Sequence, residues 1–99
     1  MTVGQLIELI NESLLYSLHD ARKILSKHKI PQVAHELDAD RHRWYEVATD
    51  VYKCEDGFVG ITGVSCLYSE GMMYMDCDTP CTAEEYEKVM KVTYKRKNN

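Results

Sequence analysis

The sequence predicts an α+β fold in which helices come first and strands follow. Three observations predict it. The first forty residues carry apolar side chains at helical spacing, Arg41 to Asp78 carries two strand-like runs about an Asp56-Gly57 turn, and Lys91 to Lys95 alternates in polarity. The expected architecture is two or three short N-terminal helices on a three- or four-stranded antiparallel meander, with a short helix near 83–89 and an edge strand. The whole chain, 1–99, reads as one domain, with a helical layer over 1–40 and the meander over 41–99.

Thr2 is placed to cap a first helix whose Val3, Leu6, Ile7 and Ile10 fall on one side. Asn11-Glu12-Ser13 weakens that helix, and Ser17 with Asp20 three residues on opens a second. Leu18, Ala21, Ile24 and Leu25 are its apolar stripe, and Lys27-His28-Lys29 suits the negative end of its dipole. Pro31 fits the first turn of a third helix that turns Val33, Ala34 and Leu37 inward.

The runs Arg41–Cys54 and Phe58–Tyr68 are rich in β-branched and aromatic residues. Asp-Gly between such runs is a strong hairpin signal, since glycine tolerates positive φ. A three-residue loop with Gly57 left-handed sets Cys54 opposite Phe58. The pairs Tyr52–Gly60, Val51–Ile61, Glu46–Cys66, Tyr45–Leu67 and Trp44–Tyr68 follow. In that register Tyr45, Val47, Val51, Val59, Ile61 and Leu67 form an aliphatic face for the helices. The opposite face mixes Glu46, Asp50 and Thr62 with Trp44, Tyr52, Phe58 and Tyr68. Tyr52 would shield Gly60. Ser69-Glu70-Gly71 reads as a turn and Met72–Cys77 as a third strand. Asp78-Thr79-Pro80 ends it, and Thr82 with Glu85 makes a capping box for a helix through about Val89. Lysines at Lys91 and Lys95 suit an edge strand.

Composition bounds the function. A hydrophobic share of 44% and a charged share of 28% are ordinary for a globular domain. With no membrane-length apolar run and no secretory pattern at the N-terminus, a cytoplasmic location is expected. The net charge is −4, but residues 43–90 hold ten acidic groups against three basic ones. Lys91, Lys95, Arg96 and Lys97 partly restore the balance. An acidic body disfavours phosphate-backbone binding, which needs Lys and Arg to displace counterions.

The chemical motifs are partial. Cys54, Cys66, Cys77 and Cys81 lack paired C-x-x-C arms. The hairpin also sets Cys54 and Cys66 roughly 26 Å apart at ~3.3 Å per residue, too far for one ion. Cys77 and Cys81, flanking Thr79-Pro80, leave a metal- or thiol-dependent role as one alternative. His35-Glu36 with His42 lacks the one-turn spacing of H-E-x-x-H. Asp38-Ala-Asp40 and Asp76-Cys-Asp78 lack the further ligands of a calcium loop. Gly60-Ile-Thr-Gly63 sits in a strand with no helix behind it, so it is no phosphate cradle. No cysteine or serine is tied to a histidine by spacing, and no catalytic residue, cofactor or metal is assigned.

Short segments carry a resemblance. Thr2-Val3-Gly4-Gln5-Leu6-Ile7 and the stretch from Arg43-Trp44-Tyr45 through Gly60-Ile61-Thr62-Gly63-Val64 resemble small accessory proteins of unassigned function from gut bacteria and their phages. The resemblance implies an accessory or mobile-element role and no activity. The expected function is therefore that of a non-catalytic protein-interaction module, accessory or inhibitory, a monomer or weak homodimer binding another protein. Its expected contact residues are Trp44, Glu46, Asp50, Tyr52, Phe58, Tyr68, Met72 and Tyr74, with Met73 and Met75 beside the last two, because aromatic and methionine side chains bury much area and adapt their shape. If Trp44 and Tyr52 form an exposed site, replacing either with Ala leaves folding largely intact. The second alternative is a nucleic-acid binder whose second and third helices form a helix-turn-helix, although Glu36, Asp38 and Asp40 stand where base-reading residues belong.

Overall fold

A computed structural model describes residues 1–77, 79–89 and 93–97. Two helices, α1 (Val3–Ser13) and α2 (Leu18–Lys27), precede five strands: β1 (Gln32–Arg41), β2 (Tyr45–Cys54), β3 (Gly57–Leu67), β4 (Thr82–Val89) and β5 (Thr93–Arg96). The strands form one antiparallel sheet in the order β1-β2-β3-β4-β5. The α+β class and an antiparallel meander are as expected, with five strands in place of three or four. Asp78, and Lys91 and Val92 of the expected edge strand, lie outside the described residues.

Both helices start where side chains can satisfy their open N–H groups. Thr2 Oγ1 accepts from the Gln5 N–H, and Gln5 Oε1 accepts from the Thr2 N–H, a reciprocal cap. Asp56 Oδ1, from the β2–β3 turn, accepts from the Val3 N–H at 2.8 Å and so ties the hairpin tip to the start of α1. Ser17 Oγ accepts from the Asp20 N–H at the start of α2. Val3, Leu6 and Ile10 of α1 and Leu18, Ala21 and Leu25 of α2 pack against Ala48, Tyr52 and Cys54 of β2, Val59 and Ile61 of β3, and Ala83 of β4.

Several expectations are corrected. The hairpin loop is two residues, Glu55-Asp56, with Cys54 facing Gly57, and no glycine has positive φ. A Cβ at Gly57 would stand 3.2 Å from Val3 Cγ2, a tight contact with the start of α1. The shorter loop shifts the pairing by one, so Val51 faces Gly60 and Asp50 faces Ile61. A one-residue shift exchanges faces relative to the partner strand. Val59 and Ile61 therefore share the helix side with Asp50 and Tyr52, while Val47 and Val51 share the other side with Val64. An irregularity between Glu46 and Val47 restores Glu46–Cys66 and Tyr45–Leu67. Tyr86, not Tyr52, covers Gly60, where a Cβ would run into its ring.

The third helix is strand β1. Its residues Ala34, Leu37 and Asp40 face Val51, Thr49 and Val47, advancing by three where β2 advances by two. Two bulges absorb the extra residues, with Glu36 and Asp38 both at φ 50°. Repeated bulging thus gives a strand the i, i+3 spacing of a helix.

Residues 83–89, expected as a helix, lie in strand β4, which pairs from Thr62↔Thr82 to Phe58↔Tyr86. The capping-box pattern loses to the backbone groups of β3, which need partners along that edge. Met72–Cys77, expected as a strand, is a loop with a 3-10 turn at Tyr74–Asp76. The Asp76 N–H donates to the Met73 carbonyl, and Asp76 Oδ2 accepts from the Met73 N–H. The aspartate closes the chain on itself where a strand would have stayed open.

Candidate docking surface

The end of the β2–β3 hairpin remote from the Glu55-Asp56 turn is built by two short connections. Between β1 and β2 the chain runs Arg41-His42-Arg43-Trp44, closed by the His42 N–H donating to the Tyr45 carbonyl at 2.7 Å. His42 also stacks on Tyr45, with ring centroids 4.7 Å apart and planes at 15°. The Tyr68 N–H donates to the Trp44 carbonyl at 2.7 Å, extending the ladder by one pair beyond the strands. The loop after Tyr68 then brings four residues of the methionine segment alongside.

This end gathers exposed apolar area. Trp44 is 47% exposed, Tyr68 42%, Met73 63% and Met75 68%. Two hollows adjoin there. One, of about 410 Å³, is lined by Trp44, Ser69, Gly71, Met72 and Asp76. The other, of about 460 Å³, lies among Tyr16, Asp20, Leu67 and the segment Met72-Met73-Tyr74-Met75. Met72 belongs to both and joins them. Most singly exposed apolar residues need no explanation, but several bordering two hollows that share Met72 do.

Two cations stand over the rings. The Arg41 guanidinium carbon lies 4.6 Å from the Tyr68 ring centroid, and that of Arg43 lies 4.8 Å from the Trp44 ring. Each contact contributes about 0.5–1 kcal/mol at an exposed site.

The structure brings some of the expected contact residues here and removes others. Trp44, Tyr68, Met72 and Tyr74 line this end. Glu46 is half-buried beside it, within 3.5 Å of Ser65 Oγ. Phe58 is elsewhere, near the turn, against Tyr94 with centroids 5.1 Å apart. Asp50 and Tyr52 are corrected outright. Tyr52 is 3% exposed in the core under the helices, and Asp50 is fully buried.

Asp50 instead anchors a polar cluster. Arg22 Nε donates to Asp50 Oδ2 at 2.7 Å and Arg22 Nη2 to Oδ1 at 3.1 Å. The Glu36 N–H, turned inward by its left-handed φ, donates to Oδ1 at 3.0 Å. Hydrogen bonding to Asp50 raises the Arg22 pKa. Burial, and then the Asp50 charge, raises that of Tyr52. The cluster binds α2 to β1 and β2.

The thiols are of another kind. Cys54 and Cys81 are buried, and burial raises both pKa values, Cys81 to about 11 with Asp20 and Asp50 adding to it. Such thiols stay protonated near neutrality, the reverse of a reactive cysteine. The helix-turn-helix expectation loses its second helix to β1. Among the described residues no helix is long and apolar enough to cross a membrane.

The sequence reading missed Arg41 and Arg43. Their signal was present in the R-x-R-W spelling, but pairing an arginine with a ring needs the turn geometry. Comparison with family models, with curated proteins and with solved structures returns no match.

Proposed function

We propose that this chain is a non-catalytic protein-interaction module, a cytoplasmic accessory or inhibitory protein of a bacterium or phage that acts by docking another protein at the Trp44 end of its sheet. The observation that supports the reading is that Trp44, Met73 and Met75, all substantially exposed, border two hollows that share Met72, with exposed Tyr68 paired to Trp44 through the backbone. A tryptophan held beside methionines gives a partner a large contact area at low ordering cost, with side chains that reshape to fit it. Interface cores are enriched in these residue types, and lysine and glutamate are depleted there. The resemblance of the opening and hairpin segments to small accessory proteins points the same way.

The test is capture of a partner from a lysate of the source cells by the tagged protein and by variants. Trp44→Ala and Met73→Ser should lose the captured protein. Lys53→Ala, an exposed change at the opposite end of β2, should retain it. Equal capture by all variants would place the contact elsewhere and overturn the reading.

A further inference from the structure

Three of the chain's five methionines fall within Met72-Met73-Tyr74-Met75. An extended strand would point Met72 and Met73 to opposite sides. The segment is instead folded on itself. The Met72 N–H donates to the Ser69 carbonyl at 3.2 Å, and Asp76 and Met73 exchange hydrogen bonds at 2.9 and 3.0 Å. All three methionines consequently line one hollow of about 460 Å³, with Tyr16, Asp20 and Leu67 on its wall. Met73 and Met75 are 63% and 68% exposed, so neither side chain is spent on packing the core.

A thioether is a neutral, polarizable donor that accepts hydrogen bonds weakly and binds soft metal ions well. Three such sulfurs around one hollow select the occupant by their chemistry. Calcium and magnesium are disfavoured, because they take shells of oxygen ligands and the wall offers one carboxylate, Asp20. Among the described residues no group of three or more His, Cys, Asp and Glu is placed to hold an ion such as zinc. Thiolates take no part either: Cys54, Cys77 and Cys81 are buried, and among the described residues no cysteine lines the hollow. We propose that the hollow is a site for a soft monovalent cation, copper(I), ligated by the sulfurs of Met72, Met73 and Met75, with the Asp20 carboxylate offsetting its charge. The inference does not rest on the docking reading, which uses the area and flexibility of these side chains and not their sulfur.

The probe is silver nitrate in chloride-free buffer, silver(I) being a redox-stable ion of the same charge and softness. It is added to protein labelled with carbon-13 at the methionine methyls. Cys66, the half-buried thiol, is replaced by Ser throughout so that it does not take the metal. Where Cys66→Ser lowers the yield of folded protein, the wild-type chain alkylated at Cys66 takes its place. One equivalent of silver should shift the methyl signals of Met72, Met73 and Met75 and leave Met1, which packs on the core, in place. Copper(I), kept reduced under nitrogen, should give the same pattern, and zinc and magnesium should give none. Met73→Leu/Met75→Leu keeps the apolar area without the sulfur and should weaken silver binding about tenfold or more by calorimetry. The proposal is overturned if silver or copper(I) leaves the three methyls unmoved, if Met1 shifts equally, or if the leucine variant binds silver as tightly as its parent. A shift with zinc as large as that with silver would overturn it too, since thioethers discriminate against the harder ion. Loss of silver binding by the leucine variant with partner capture retained would separate the ion site from the docking reading and support the former.

Discussion

The Arg22 guanidinium forks onto the Asp50 carboxylate, Nε to Oδ2 at 2.7 Å and Nη2 to Oδ1 at 3.1 Å, and Asp50 is fully buried. Removing one member of such a pair strands a charge away from water, whereas replacing both with apolar groups does not. Arg22→Ala is expected to lower unfolding free energy by about 3 kcal/mol, because it leaves the fully buried Asp50 carboxylate without its cation, and Asp50→Ala by less, because Arg22 is partly exposed and keeps Glu36. The double variant Arg22→Met/Asp50→Leu should lose less than the two single losses added together. Urea unfolding followed by circular dichroism measures all four proteins. Additive losses would mean that the two groups do not act as a pair.

The sequence pattern places Trp44 and Tyr52 on one face, and the structure gives them opposite environments. Trp44 is 47% exposed and Tyr52 3%. Trp44→Ala should therefore change stability by less than about 1 kcal/mol, and Tyr52→Ala should cost about 3 kcal/mol or more, as loss of a buried ring does. Chemical denaturation midpoints check both. A large loss at Trp44 would remove it from any docking surface and make it a core residue.

Gly60 is a strand glycine whose missing side chain is replaced by the Tyr86 ring from the neighbouring strand. Gly60→Ala should destabilise by about 1–3 kcal/mol, the usual cost of overpacking. Tyr86→Ala in the same molecule should relieve part of that loss, since it removes the obstructing atoms. Thermal melts of the wild type, both single variants and the double variant give the coupling. Independent effects would show that ring and glycine do not meet.

The helices and the hairpin were legible because local rules governed them. Thr2 and Ser17 cap where their spacing placed them, and the α1 and α2 stripes face the sheet. Segments decided by long-range pairing were misread. β1 imitates a helix because its bulges at Glu36 and Asp38 stretch the two-residue repeat to three, and β4 carries a capping pattern that the open edge of β3 overrides. The one-residue difference in register follows from the two-residue Glu55-Asp56 loop, which asks no left-handed backbone of Gly57. With Val51 opposite Gly60 in place of Ile61, Asp50 and Tyr52 share the helix side with Val59 and Ile61 and are buried. At the candidate site, Trp44, Tyr68 and the methionines were found from composition, and Arg41 and Arg43 were not. No local rule says that the Arg41 guanidinium will lie over the Tyr68 ring, which follows β3.

Cys81 gives a pH dependence of definite sign. Its pKa rises from 9.0 to about 11 in the folded chain, chiefly through burial and then through the charges of Asp20 and Asp50. With the folded value above the unfolded one, the native state holds the thiol proton more tightly. The resulting stability is complete below pH 9 and is lost as pH rises from about 9 to 11, where unfolded chains ionise first. Urea midpoints should fall across that window, and Cys81→Ala should flatten the fall that remains after Cys54 and Tyr52, whose pKa values also rise, are accounted for. The same burial should slow alkylation: with iodoacetamide near pH 8, half-buried Cys66 should be modified well before Cys81, as read by peptide mass spectrometry. Modification of Cys81 at the rate of Cys66 in the native protein would mean that this thiol is neither buried nor held protonated.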